Sequence, residues 1–329
     1  MTSRARPLPE GLGESFTCVE AIARDVTRRR LRAADLEAPF RGARLRREEP
    51  AGDGDAAAEP LALDGRIRRA LLRTAHAYAS VAPAGSFFVG AAALAAHGLP
   101  MRSEWTGRPL SVAVHPPAHA PRGRGVRGVK ISPRMVSVCE VDGLRVADAV
   151  TAWALCGSWL SCDQLVVLGD ALVCVPRDER GRPHPERRRA TLDELRQAAG
   201  VPWRRGRERL LAALELIRVG SMSPLETECR LVLTRAGLPE PDLDVEMRAA
   251  DGRFIGICDA VYRRQRVAVE VEGSHHRTSD RQWNRDLDKY AALAAAGWEV
   301  VRLTSRHIRG SSPQAPHLVR AALERHPRG

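Results

Sequence analysis

The stretch Asp259-Ala-Val-Tyr-Arg-Arg-Gln-Arg-Val-Ala-Val-Glu-Val-Glu-Gly273 decides how this chain is read. Val267, Val269 and Val271 alternate with Ala268, Glu270 and Glu272. That period of two predicts a β-strand with one apolar face. Glu270 and Glu272 then share the other face, and Gly273 ends the strand. Just upstream, Phe254-Ile-Gly-Ile-Cys-Asp259 reads as a second strand, and Asp251-Gly252 before it favours a hairpin turn. Asp259 closes one strand while Glu270 and Glu272 lie on the next, so three carboxylates can converge.

Such convergence is costly. Two unit charges about 4 Å apart repel by about 4 kcal/mol at an effective dielectric of about 20. A proton or a cation can relieve this. Alternatively Glu272 faces water and only Asp259 and Glu270 matter, or Arg263, Arg264 and Arg266 simply pair with the acids. If the answer is a cation, hard carboxylate oxygens suit Mg²⁺ or Mn²⁺.

Other segments surround this core in a fixed order. They are Ser223-Pro-Leu-Glu-Thr-Glu-Cys-Arg230, Ala236-Gly-Leu-Pro239, Val269-Glu-Val-Glu-Gly-Ser-His-His276, Asp286-Leu-Asp-Lys289 and Ala296-Gly-Trp-Glu-Val-Val-Arg302. Together they resemble the endonuclease-like domain family related to very-short-patch-repair endonucleases, within the PD-(D/E)XK nuclease superfamily. The resemblance covers about residues 221–309. It implies an α/β, restriction-endonuclease-like mixed sheet flanked by helices, acting as a metal-dependent DNA endonuclease. Two positions depart from the superfamily pattern. The usual third-position Lys is Glu272, and the Pro that often precedes the Asp is Cys258.

On this reading Asp259 and Glu270 are the main metal ligands. Ser223 is a good N-cap, Pro224 suits the first helical turn, and Glu226 completes a capping box. Glu226 therefore either satisfies the Ser223 N–H or adds a metal or water contact. Arg230, one turn later, can pair with Glu226. Glu272 can ligate metal or act as a base, but cannot stabilise a phosphorane. His275 and His276 have a pKa near 6.5 when unperturbed and can take a proton from water; the resemblance favours one of them, and His275 is the candidate. Lys289 either reaches the phosphate that Glu272 cannot serve or pairs with Asp286. Arg277, Lys289, Arg302 and Arg306, with Arg309 beyond, form a basic edge for DNA phosphates.

Composition agrees with a polyanionic partner. Among 329 residues, 52 are Lys or Arg and 40 are Asp or Glu, a net charge of +12. Part of the Arg excess reflects an Ala- and Arg-rich composition throughout. Seven cysteines, with no C-x-x-C pair, mostly fall in apolar runs. They read as reduced thiols in a cytoplasmic protein, with no zinc site. No signal peptide and no membrane span are expected.

Ahead of the nuclease-like segment the chain divides into three parts. Residues 1–60 are basic, with a short helix expected from Thr27 to Leu36 and a flexible link at 46–60. Arg28 to Arg32 either touch phosphates or form a solvated basic turn. Residues 61–174 read as a smaller α+β domain. Helices are expected around Ile67–Tyr78, 90–96, 147–156 and 161–173, with strands at 110–114, 129–131, 136–139 and 144–146. Gly90-Ala-Ala-Ala-Leu-Ala-Ala-His-Gly-Leu-Pro100 and Val141-Asp-Gly-Leu-Arg-Val-Ala-Asp-Ala-Val-Thr-Ala-Trp153 resemble abortive-infection-type antitoxin regulators, which implies a regulatory or DNA-facing module. His97 reads as a helix-terminal histidine and Asp170 as a partnered structural carboxylate. Residues 175–220 are a basic linker and connecting helices; residues 221–329 are the nuclease-like domain. Two alternatives to DNA hydrolysis stay open: a non-catalytic DNA-binding regulator, and an RNA-directed nuclease.

Overall fold

The computed structural model describes residues 6–47, 63–178, 180–272 and 280–326. The chain is mixed α/β, with three open sheets of three, six and four strands among the described residues. It forms two compact units, 1–155 and 156–329. No helix among the described residues is long and apolar enough to cross a membrane. All seven cysteines are free thiols.

The first unit opens with β1 (Ser15–Thr17), α1 (Cys18–Ile22), β2 (Leu36–Glu37) and β3 (Ala43–Arg46), paired in the order β1-β3-β2. The helix expected from Thr27 to Leu36 is not formed. Only a single 3-10 turn, Arg30–Arg32, occurs there. Leu31 is its one buried residue, so no apolar stripe holds a longer helix. Arg30 instead grips Asp35 through both oxygens, at 2.9 and 2.6 Å.

Next come α2 (Leu63–Ala79), β4 (Phe87–Val89), α3 (Ala91–Ala96), β5 (Leu110–Val114), β6 (Arg122–Gly123), β7 (Val126–Lys130), β8 (Val138–Val141), β9 (Leu144–Ala147) and α4 (Ala149–Cys156). The six strands run β6-β7-β5-β4-β9-β8. His97 caps α3, and its ring Nε2 lies 2.8 Å from the Ala147 carbonyl.

The second unit contains α5 (Cys162–Val173), α6 (Leu192–Gly200), α7 (Arg207–Leu216), α8 (Pro224–Arg235), β10 (Asp242–Arg248), β11 (Phe254–Tyr262), β12 (Val267–Glu272), α9 (Asp280–Ala295), β13 (Glu299–Thr304), α10 (Ser305–Ile308) and α11 (Ala315–Arg325). Helix α5, which sequence pattern groups with the strands before it, belongs to this unit. Capping boxes start α5 at Ser161 and α6 at Thr191. Asp170, on α5, accepts from Arg218 N–H at 2.8 Å, Thr227 Oγ1 at 2.9 Å and Arg230 Nη2 at 2.9 Å. Arg230 is thus committed to Asp170, not to Glu226. The side chains of that pair are 2% and 1% exposed. Burial alone would strand both charges, and the three donors on one carboxylate offset that cost.

The four-stranded sheet runs β10-β11-β12-β13. Strands β10 and β11 form the expected hairpin, with Gly252 at φ +83° in its turn. Strands β11 and β12 are antiparallel; β12 and β13 are parallel and joined through α9. Val267, Val269 and Leu303 pack with Leu225, Cys229 and Leu233 of α8 and with Val319 of α11. The opposite face is covered too: Ala268, Cys258 and Val245 pack with Leu293 of α9. The alternation in β12 therefore marks two buried faces rather than one dry and one wet, as expected for a strand flanked by helices on both sides.

Candidate functional site

The site forms where β11 and β12 lie side by side. The antiparallel register sets Ala260 opposite Val269 and Val261 opposite Ala268. The pairing ends there, and Asp259 and Glu270 are the next residues along the two strands. Asp259 Oδ2 accepts the Val271 N–H at 2.6 Å, which ties the acid to the next strand.

Asp259 also occupies a reversal in its own strand. Cys258 packs in the cluster beneath α9, whereas Ala260 packs in the cluster beneath α8. Residues two apart in a regular strand share a face, so the alternation flips across Asp259. The partner strand flips with it. Val245 pairs with Cys258 and Leu243 with Ala260, and Asp244 between them has φ +52°. The strands turn together at the Asp244–Asp259 step, and Asp259 can address both helix layers.

Charges from α8 and β12 both act on Asp259. Burial pushes the Asp259 carboxyl well above the usual carboxylate range, and the charges of Glu226 and Glu270 push it further. The Val271 N–H and Lys289 pull it down without prevailing. Glu226, on α8, is also raised, chiefly by burial. Its Oε2 accepts the Met222 N–H at 2.7 Å, while the Ser223 hydroxyl accepts the Glu226 N–H at 3.3 Å. The cap is real, but the carboxylate principally serves Met222 rather than Ser223.

Glu270 is 7% exposed. Lys289 Nζ lies 2.8 Å from its Oε1 and donates to the Ile257 carbonyl, 2.5 Å away. The contact is a buried ion pair whose ammonium serves both the Glu270 carboxylate and the Ile257 carbonyl. Burial works against the Lys289 charge, but Glu270, Cys258 and Asp259 outweigh it and raise the lysine's pKa. Gly256 makes the lysine's path possible. A Cβ on Gly256 would lie 3.0, 3.1 and 3.2 Å from Lys289 Cδ, Cγ and Cε, so the alkyl stem lies flat against bare backbone. The simpler expectation, a Lys289–Asp286 pair, gives way to this tertiary one.

Glu272 leaves the cluster. It accepts from Arg302 Nε, a diagonal contact between β12 and β13, since the parallel register sets Arg302 opposite Glu270 and Glu272 opposite Thr304. That bond raises the Arg302 pKa, and the guanidinium stacks 4.9 Å from the Tyr290 ring centre. Arg306 is exposed on α10. Arg309 is held by Glu228 at 2.6 and 3.2 Å. Arg263 pairs with Asp242 at 2.6 Å, not with the site acids. His275, His276 and Arg277 lie outside the described residues.

Asp244 is a fourth acid that sequence reasoning missed. Arg177 from the linker clamps it at 2.8 and 2.9 Å, and reaches Glu246 at 3.2 Å. Burial raises the Asp244 pKa, and Asp244 in turn raises that of Glu226. Its signal was the alternation Asp242-Leu-Asp-Val-Glu246, which marks a strand edge but no partner.

The donor set suits a hard divalent cation: two buried carboxylates, with Glu226 at electrostatic range. Mg²⁺ typically takes only one or two protein carboxylates and keeps water or phosphate elsewhere. Among the described residues no group of three or more His, Cys, Asp or Glu is gathered closely enough to hold a metal by itself.

No family model matches the chain, and no solved structure matches it. It is similar to two proteins of Mycobacterium tuberculosis, each called an uncharacterized protein: MT2308 of strain CDC 1551 / Oshkosh and Rv2248 of strain H37Rv. Identity with each is 28% over 141 residues, covering 42% of this chain and 49% of the relative. The chain spans about half the length of the curated relatives it matches.

Proposed function

We propose that the second unit is a restriction-endonuclease-like domain that hydrolyses DNA phosphodiesters with a divalent cation. The observation that carries this reading is the buried pair Asp259 and Glu270 on adjacent strands, where burial and then the charges of Glu226 and Glu270 raise the Asp259 pKa. Stability alone does not call for such crowding.

Asp259 and Glu270 would hold Mg²⁺ or Mn²⁺. When bound, the cation polarises the phosphate and lowers the pKa of its water. Lys289 supplies the positive charge that Glu272 cannot, from α9 instead of β12. Glu226 anchors the Met222 backbone and adds a carboxylate that can orient water. Arg302 and Arg306 lie along the edge that would receive phosphates. His275 remains the candidate for proton transfer.

A second reading is binding of DNA without cleavage, with the first unit as a regulatory module of antitoxin type. The Lys289–Glu270 ion pair favours it, because that pair neutralises Glu270 with no metal at all.

Incubating the full chain with supercoiled plasmid, in Mg²⁺ or Mn²⁺ and then in EDTA, separates the two. Cation-dependent nicking that Asp259→Ala abolishes, with DNA binding retained, supports hydrolysis. Equal cleavage by Asp259→Ala sinks it. Binding with no cutting under either metal selects the regulator, and cutting confined to RNA redirects the substrate.

A further inference from the structure

The segment Val201-Pro202-Trp203-Arg204 joins α6 to α7. The Arg204 N–H donates to the Val201 carbonyl at 3.3 Å, closing a β-turn. Pro202 holds the second position and Trp203 the third, with φ +64°. Proline followed by a positive φ is the type II pattern, whose third position ordinarily takes Gly or Asn. For a side chain as large as tryptophan that backbone region is an outlier. The residue gains no burial in exchange. Trp203 is 95% exposed, whereas Trp105 and Trp153 are 1% and 0% exposed.

The turn is firmly seated. Gly206, at φ +75°, is pressed against the chain at Gly157: a Cβ on Gly206 would lie 2.0 Å from the Gly157 oxygen. Arg209 Nη1 donates to the Gly157 and Leu160 carbonyls, each at 2.9 Å. The indole is therefore presented on a pinned loop. Around it, Pro202, Arg205 and Arg207 are exposed. The exposed indole thus has two exposed cations, and one exposed acid, Glu208, within five positions of it in the chain.

We infer that Trp203 is a stacking platform for an unpaired nucleobase, with Arg205 and Arg207 taking the adjoining phosphates of a single strand. An exposed indole offers about 150–250 Å², well short of the roughly 800 Å² per side that a stable protein contact needs. A nucleobase matches it in shape and size, and phosphates match the arginines and the net charge of +12. Bases stacked inside a duplex cannot reach such a platform, which selects single strands.

This inference rests on the nucleic-acid reading above but not on hydrolysis, so it is tested without metal. Fluorescence anisotropy in EDTA would follow the full chain binding a fluorescein-labelled oligo-dT of about 20 nucleotides, longer than usual single-strand sites, and a duplex of equal length. Trp203→Ala is expected to weaken single-strand binding about tenfold and to leave duplex binding and the circular dichroism melt unchanged. Trp203→Phe, which keeps a ring, should stay within about threefold of wild type. Arg205→Gln with Arg207→Gln should lower the salt slope by about 1.4. Equal single-strand affinity of Trp203→Ala and wild type overturns the inference, as does the same loss on duplex. Dimerisation that Trp203→Ala abolishes, seen by sedimentation, overturns it in favour of a second copy. A wild type that binds neither oligonucleotide removes the nucleic-acid reading as well; single-strand binding without plasmid cutting removes hydrolysis alone.

Discussion

Lys289→Met gives the sharpest view of how the site is held together. The ammonium stands 2.8 Å from Glu270 Oε1, and the two side chains are 16% and 9% exposed. At that distance and an effective dielectric of about 20, the attraction is about 6 kcal/mol. Desolvation of both ions cancels much of it in the intact pair. Removing only the lysine leaves Glu270 buried without compensation, so the expected loss is about 3–5 kcal/mol. Methionine keeps most of the stem that lies along Gly256, so the loss reports charge rather than packing. Urea unfolding in EDTA at neutral pH, followed by circular dichroism, measures it. Glu270→Gln/Lys289→Met should lose about 1–2 kcal/mol less than the sum of the single variants, because it strands no charge. Mn²⁺ should restore part of the loss in Lys289→Met by taking the ammonium's place. A cost below about 1 kcal/mol, typical of a solvated pair, would refute the reasoning.

Three further outcomes follow from the same structure. Asp259 and Glu226 both have raised folded pKa values, so the stability they contribute is full below the ordinary carboxylate range and is lost as pH rises through those values. In EDTA, wild type should therefore lose urea resistance between acid and neutral pH, and Asp259→Asn should lose less; a larger loss in Asp259→Asn contradicts the sign. Arg230→Met strands the 1%-exposed Asp170 and should cost about 3–5 kcal/mol in the same urea assay. Gly256→Val places a branched carbon on the path of Lys289, and should reduce plasmid nicking about tenfold or more with circular dichroism unchanged, an effect of the size expected when a positioned charge is displaced.

Much of the second unit was legible because its signals are local. Alternation marked β12, Asp251-Gly252 marked the hairpin, and Ser223-Pro224 marked the start of α8. The nearness of Asp259 and Glu270 follows from strand length and turn position alone. What was not legible depends on register or on distant chain. Glu272 meets Arg302 only because β12 and β13 pair in parallel at one register. Arg230 has Glu226 one turn away but binds Asp170, 60 positions off. Lys289 has Asp286 one turn before it but crosses the sheet to Glu270, along a track that Gly256 leaves open. In the first 47 residues, strands of two to four residues are too short for period two to show, and a run of arginines mimics a helix it does not form.

The central claim is that a cation belongs between Asp259 and Glu270. Isothermal titration of Mn²⁺ into the metal-free full chain tests it directly. The account predicts saturable binding to wild type that Glu270→Gln and Asp259→Ala both abolish. No heat in wild type, or an unchanged isotherm in the two variants, would contradict it.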